Sequence, residues 1–238
     1  MNLLLLHEAD FLADGTARLT GRRLLHARDV LRAASGDSLC IGRLGGKTGT
    51  GEILRLTADE LVLRVTLPDD PPPRPAIDLL LALPRPKALR RVLPAAASLG
   101  VDRIVLLNAA RVEKSYFESR VFDQVPDLLE QGLEQARDTR PPEVLVRDRF
   151  RPFVEDELET MFPGAQRLLA HPAAAAPLPE RRGRALLAVG PEGGWVPFEL
   201  ELLQGRGFVP FTLGPRPLRV EVAVPYALGA LSRSSTSP

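Results

Sequence analysis

The sequence predicts an α/β protein in two parts: a small β-rich module, then a larger region built on a mostly parallel sheet. Three observations carry this expectation. Short apolar runs separated by turn residues occupy the chain up to residue 68. The segment Asp69-Asp70-Pro71-Pro72-Pro73-Arg74-Pro75 then forbids helix and suits a stiff, extended connector. Beyond it, apolar runs alternate with longer amphipathic stretches, as they do where parallel strands are covered on both faces by helices. The expected domains are therefore 1–70 and 76–232, with a short polar tail, 233–238, that lacks periodicity and reads as disordered.

In the first module, strands are expected at 3–6, 38–41, 51–56 and 60–65, closing on themselves in a barrel-like way, with one helix at 21–34. After the connector come a strand at 77–83, a helix at 87–99, a strand at 103–107 and a helix ending near Arg137. Strands at 167–170 and 185–189, a helix at 198–205, a strand at 208–212 and an apolar helix through Pro225, Tyr226 and Leu231 follow. The period is plainest in 87–99, where Leu89, Val92, Leu93, Ala96 and Leu99 share one face and Lys87, Arg90 and Arg91 the other.

Of the 238 residues, 45% are hydrophobic and 26% charged, the balance of a globular protein. No apolar run approaches the roughly 20 residues that span a bilayer. The apolar start, 1–6, lacks a basic leader and is cut short by His7, Glu8 and Asp10, so it reads as a first strand; a cytoplasmic protein is expected. The single Cys40 excludes an internal disulfide, and His7, His26 and His171 lie too far apart in sequence to suggest a metal site. A net charge of +1 says little about a polyanionic partner, because local clustering decides phosphate affinity. Arg18, Arg22, Arg23, Arg28 and Arg32 fall in one stretch, and a helix over 21–34 aligns several of them; Lys87, Arg90 and Arg91 extend the set. These eight are the candidate RNA-binding residues, the alternative being a solvated helix face balanced by Asp29.

Three glycine- or proline-bearing segments are candidates for chemistry. Gly45-Gly46-Lys47-Thr48 looks like the end of a phosphate-binding loop, but Ile41 stands where the first glycine belongs and a strand follows, so it reads as a hairpin loop. Val189-Gly190-Pro191-Glu192-Gly193-Gly194-Trp195 follows an apolar strand and precedes a helix, where open α/β sheets bind ligands and where glycines admit a ligand to the backbone. A plain strand-to-helix turn explains it equally well. The third, 213–223, runs Leu213-Gly214-Pro215-Arg216-Pro217-Leu218-Arg219-Val220-Glu221-Val222-Ala223. Arg216 and Arg219 sit where a carboxylate or phosphate is held, unless Arg219 and Glu221 only cap and balance the last helix.

Together the last two segments resemble the ribosomal RNA uridine N3-methyltransferases of the SPOUT superfamily, whose G-P-E-G-G turn and L-G-x-R-I-L-R-x-E-T-A loop match Gly190 to Gly194 and Leu213 to Ala223. Lys87 to Val101, Arg111-Val112-Glu113-Lys114, Leu133-Glu134-Gln135-Ala136-Arg137 and Thr139-Arg140-Pro141 extend the similarity. His26, Val30-Leu31-Arg32 and Gly36-Asp37 resemble the signature of that family's PUA-like RNA-binding domain. Pro217 stands for the family's Ile and Val222 for its Thr, and Gln135-Ala136-Arg137 is shifted from the commonest spacing.

The resemblance implies a SPOUT domain with a deep trefoil knot behind a PUA-like barrel. It implies S-adenosylmethionine as cofactor, held by Gly190, Pro191, Glu192, Gly193, Gly194, Leu213, Gly214 and Leu218, and 16S ribosomal RNA of the small subunit as substrate. His171 is a candidate for the pocket's third wall, the alternative being an ordinary surface histidine. Uracil N3 must lose a proton for methylation, which calls for a base or a cation that stabilises the anion; Arg219 is the candidate stabiliser, Glu221 the candidate base and Glu192 a further one. A homodimer through Val222, Val224, Leu228 and Leu231 is implied, although burial within one subunit gives the same pattern. Rival readings are a SPOUT enzyme acting on ribose 2'-O or guanine N1, and an RNA-binding assembly protein without turnover.

Overall fold

Alternating apolar residues set the strands of the first part of the chain, and unbroken apolar runs set those of the second. The computed structural model describes residues 3–233. The chain divides into one unit of residues 1–73 and 130–141 and another of 74–129 and 142–238. The division near 73 falls in the expected proline connector, whereas the grouping of 130–141 with the first unit was not expected from sequence.

In the first unit β1 (Leu4–Leu6), β2 (Thr16–Leu19), β3 (Ser38–Arg43), β4 (Thr48–Leu56) and β5 (Leu61–Asp69) form one sheet in the order β1-β3-β4-β5-β2. β1 and β3 run parallel and the other pairs antiparallel. Leu4, Leu6, Leu39, Ile41, Ile53 and Leu63 are buried together beneath it, and truncating one such leucine costs about 2–5 kcal/mol. β2 has only Ala17 and Leu19 facing the core, an alternation too short to stand out in sequence.

The expected helix over 21–34 is shorter. α1 (Gly21–Leu25) widens into a π-helical turn (His26–Val30), and Arg32 already has a left-handed φ of 53°. Arg32 thus lies outside the helix, and the row of arginines expected along it is broken. Arg23 is no surface cation: Nη1 donates to Leu5 O at 2.9 Å and Nη2 to Asp10 Oδ1 at 2.8 Å. Arg22 pairs with Glu134 at 3.4 Å and Arg28 with its neighbour Asp29 at 2.7 Å, while Arg18 is exposed.

The 45–48 segment is a hairpin, as its sequence indicates, and its backbone has a structural partner. Gly45 N donates to Thr139 O at 2.7 Å, and Thr139 Oγ1 donates to Gly46 O. The groups that a phosphate loop would present to a ligand here hold the 138–140 segment.

The second unit contains β6 (Ile77–Ala82), α2 (Pro86–Ser98), β7 (Arg103–Leu107), the start of α3 (Val125–Ala136), β8 (Glu143–Arg147), α4 (Phe150–Pro152) and α5 (Leu158–Met161). β9 (Gln166–Ala170), β10 (Ala185–Val189), α6 (Pro197–Gly205), β11 (Val209–Phe211) and α7 (Val220–Arg233) complete it. The strands form a wholly parallel six-stranded sheet in the order β11-β9-β10-β6-β7-β8. Every residue of the central β6 and β10 is buried, which accounts for their apolar sequences, interrupted only by Asp78 in β6. β8 and the helical segments of 150–161 were not expected; β8 is an edge strand, half exposed and preceded by Pro141-Pro142.

α7 packs on α2, β10 and β6, and its Val224, Leu228 and Leu231 are fully buried within the unit. Of the four residues expected to face a second subunit, only Val222 is exposed. The helix reaches Arg233, the first residue of the expected disordered tail; the remainder of that tail, 234–238, lies outside the described residues.

Candidate functional site

Parallel strands deliver their loops to one edge of a sheet, and here three neighbours end at the same level. Ala170 of β9 pairs in register with Val189 of β10 on one side and with Phe211 of β11 on the other. The segments leaving these strands begin with His171, Gly190 and Thr212, and they surround a cavity of about 670 Å³. The start of α2 and the first turn of α7 close it. Glu192, Gly193, Gly194, Leu213, Gly214, Leu218, Arg219 and Glu221, together with Gly190, Pro191 and His171, all line this one space. Every residue named in sequence as a cofactor contact or a catalytic candidate is thus brought to it.

The glycine turn is shaped by close approach and by backbone sign. Gly194 N donates to Pro191 O at 2.8 Å, and Gly194 has φ of 71°, a conformation that a side chain resists. A Cβ on Gly190 would lie 3.0 Å from Trp195 Nε1. Trp195 is buried, lines the cavity, and its Nε1 has no hydrogen-bond partner among the described residues.

On the neighbouring loop, Thr212 Oγ1 donates to Gly214 O at 3.1 Å, tightening the bend that leads to Arg216. The backbone carbonyl of Arg219 receives the N–H groups of Val222 and Ala223, so Arg219 opens α7 and Glu221 lies in its first turn, where the helix dipole favours an acidic residue.

His171 is half-buried at the end of β9. Its Nδ1 accepts from Ala173 N at 3.3 Å, which in the neutral ring leaves the proton on Nε2. It lines the cavity.

The charges around the space are divided. Among the described residues, the side chains of Lys87, Arg216 and Arg219 have neither ion pair nor hydrogen bond, and all three line the cavity. The two carboxylates are engaged: Glu192 accepts from Arg85 N and Nε, each at 3.1 Å, and Glu221 lies 3.6 Å from Arg91 Nη1. Of the cations expected to reach RNA from α2, Lys87 and Arg91 border the cavity, while Arg90 donates instead to Gln124 at 3.0 Å. Sequence reasoning missed Arg85 entirely; its one signal was its place directly after an apolar strand and before Pro86 at the helix start.

A parallel sheet whose strand ends enclose a glycine-lined, cation-rimmed cavity defines a ligand-binding α/β domain of the nucleotide-handling kind. The chain belongs to the RNA methyltransferase domain family, which matches residues 71–232. It is 29% identical over 237 residues to a protein of Treponema pallidum named ribosomal RNA small subunit methyltransferase E, with 94% of this chain and 87% of that one covered. A protein of the same name from Mycobacterium bovis is 29% identical over 230 residues, 90% of this chain and 85% of its own. Among solved structures, a methyltransferase of Legionella pneumophila in complex with SAM superposes with a TM-score of 0.76 at 25% identity, covering 98% of both chains.

Proposed function

We propose that this chain is an S-adenosylmethionine-dependent methyltransferase that modifies N3 of a uridine in 16S ribosomal RNA of the small subunit. The observation that carries the reading is the in-register ending of β9, β10 and β11, which gathers both motif-bearing loops around one cavity. The names of the relatives, which concern the ribosomal small subunit, supply the substrate class.

The residues present fit the cofactor. The cavity volume is within the several hundred Å³ common for small-molecule sites. Gly194 has open space where a side chain would lie, the buried Trp195 Nε1 is a donor without an acceptor among the described residues, and Lys87, Arg216 and Arg219 offer positive charge for a carboxylate or phosphate. Bound here, S-adenosylmethionine supplies a methyl group activated by its sulfonium charge.

The protein's task is then alignment and the handling of one proton. N3 must shed its hydrogen as it forms the new bond to carbon. Arg219, which lines the cavity, donates to the uracil oxygen on which negative charge gathers, and Glu221 accepts the proton with Arg91 holding its carboxylate in place. Glu192, gripped by Arg85, serves to anchor the turn.

The same reading assigns residues 1–70 as a PUA-like RNA-binding barrel and 76–232 as a SPOUT domain with a trefoil knot. Two features support the knot. β10 is inserted between β9 and β6, and the 171–184 connector touches both ends of the last segment: Thr212 N donates to Ala176 O at 2.8 Å, and buried Arg181 donates through Nε to Leu231 O at 3.0 Å. A homodimer in the cytoplasm completes the proposal; Val222 and Tyr226, one turn apart on α7 and both exposed, are the surface for it. Among the described residues no helix is long and apolar enough to cross a membrane.

The test is to titrate the protein with S-adenosylmethionine by calorimetry, incubate it with small-subunit RNA, and locate the added methyl group by mass spectrometry. Uptake of the cofactor with a methyl on uridine N3 is expected. A methyl on ribose 2'-O or guanine N1 replaces the substrate atom, and no cofactor uptake removes the enzyme reading.

A further inference from the structure

Arg85, between β6 and α2, holds the glycine turn at Glu192 from the cavity side. A second set reaches it from behind, from the segment after β7, two strands away in the sheet. Glu199, at the third position of α6, is only 2% exposed and has no cationic partner among the described residues. Its carboxylate is held by backbone donors: Val196 N at 3.0 Å closes the helix start, and Ala110 N at 2.6 Å comes from the post-β7 segment. A buried carboxylate without such donors is costly, so the two segments are bound to each other by the need to satisfy it.

The adjacent residue completes the connection in the opposite direction. Arg111 Nη1 donates to Gly193 O, and Arg111 Cδ and Cβ lie 3.0 and 3.3 Å from where a Cβ on Gly193 would sit. The arginine stem therefore lies flat on the glycine, and its head fixes the orientation of that glycine's carbonyl.

We propose that Arg111 and Glu199 are positioning residues, a reciprocal brace that fixes the 190–194 turn in the shape its ligand needs. This rests on the reading of the cavity as a cofactor site. The physical argument is preorganisation: a glycine-rich turn has much backbone freedom to lose on binding, and a turn already held loses less. Neither residue lines the cavity, so each acts on the ligand only through the turn.

Two measurements test this, and the first needs no cofactor. Amide hydrogen exchange in the ligand-free protein reports how often the turn opens. Arg111→Ala is expected to speed exchange in peptides covering 190–196 by about tenfold, the worth of one hydrogen bond and its packing, while peptides of β10 keep wild-type protection. Arg111→Lys, which retains a donor and most of the stem, is expected to restore part of that protection. The second is calorimetric titration with S-adenosylmethionine, where Arg111→Ala should weaken binding by about tenfold at an unchanged unfolding midpoint.

Glu199→Gln keeps one good acceptor and turns an amide N–H toward the other donor, so it should resemble Arg111→Ala. Where its burial makes it fail to fold, the exposed Arg111 decides alone. Exchange and affinity both at wild-type values in Arg111→Ala overturn the brace. A wild-type protein that takes up no S-adenosylmethionine sinks the cofactor reading instead, and the exchange result still judges the brace.

Discussion

Arg85 donates twice to one oxygen of Glu192, from its backbone N–H and from Nε, each at 3.1 Å. Arg85, between β6 and α2, thereby holds the turn after β10, and we propose that Glu192 acts as an anchor of that turn rather than as a base. Glu192→Gln retains an oxygen that accepts both bonds, so single-turnover methylation of an RNA fragment should stay within a few-fold of wild type. Glu192→Ala releases Arg85 and the turn together and should weaken S-adenosylmethionine binding by about tenfold. A Gln variant slowed by orders of magnitude would restore Glu192 as the base.

Arg219 lines the cavity, and its side chain has no protein partner among the described residues. A donor aimed at developing charge matters most in the transition state. Arg219→Ala should therefore lower kcat by about a hundredfold while leaving the Kd for S-adenosylmethionine near its wild-type value. Calorimetry and steady-state kinetics on the same preparation separate the two effects. A variant with normal kcat and weakened cofactor binding would show that Arg219 holds the ligand's charged end instead.

Much of this site was legible in sequence because its signals are local. Gly190 to Gly194 and Leu213 to Glu221 carry their glycines, prolines and arginines at close spacing, and each follows a strand recognisable by its apolar run. What lay hidden depends on partners distant in sequence. Nothing near Arg85 reveals that Glu192 lies above it, and nothing near Glu199 reveals the Ala110 N–H that it binds. The arginine row on 21–34 misled for a related reason: Arg23 is drawn to Asp10, and the π-helical turn ends the helix before Arg32, events that charge counting does not register. Likewise the apolar periodicity of α7 was correct, but the pattern is the same whether Val224 and Leu228 meet a second subunit or their own; here they are buried within their own unit, where α7 packs on α2, β10 and β6.

Asp78, at the start of β6, gives a pH prediction of definite sign. Its side chain is fully buried; Arg184 Nη1 donates to Oδ2 at 2.7 Å, while Oδ1 has no hydrogen-bond partner among the described residues and Arg103 Nε is 3.7 Å away. Burial raises its pKa above the ordinary 3.8, against the pull of Arg184 and Arg103 and with a small push from Asp102. The folded protein therefore keeps this proton over a range in which the unfolded chain has lost it. The contribution of Asp78 to stability is full below the unfolded value and is lost as pH rises through the folded one. Asp78→Asn has no such dependence, so the unfolding free energy of the variant minus that of wild type should increase as pH rises above the ordinary carboxylate value of 3.8. Urea titrations at several pH values measure this difference, and a flat or falling curve contradicts the assignment.

Gly42 in β3 and Thr139 form a tight steric match in the first unit, and a double-mutant cycle can read it. A Cβ on Gly42 would lie 2.4 Å from Thr139 Cγ2 and 3.3 Å from both Leu3 methyls, inside the contact limit for the threonine. Thr139 is fully buried and cannot yield without giving up its Oγ1 bond to Gly46 O. Gly42→Ala should therefore destabilise by about 1–3 kcal/mol, the usual cost of overpacking. Thr139→Ser removes the offending methyl and keeps the hydroxyl, so by itself it should cost only about 1 kcal/mol for the lost methyl. Combined, Gly42→Ala and Thr139→Ser should be more stable than the sum of the single effects predicts, because the new methyl occupies the space the old one vacated. Chemical denaturation of the four proteins gives the coupling energy, expected to exceed about 0.5 kcal/mol in the favourable direction for groups in contact. Simple additivity would mean that β3 moves aside to admit the methyl, and that the fit between Gly42 and Thr139 is not what holds the 138–140 segment on its hairpin.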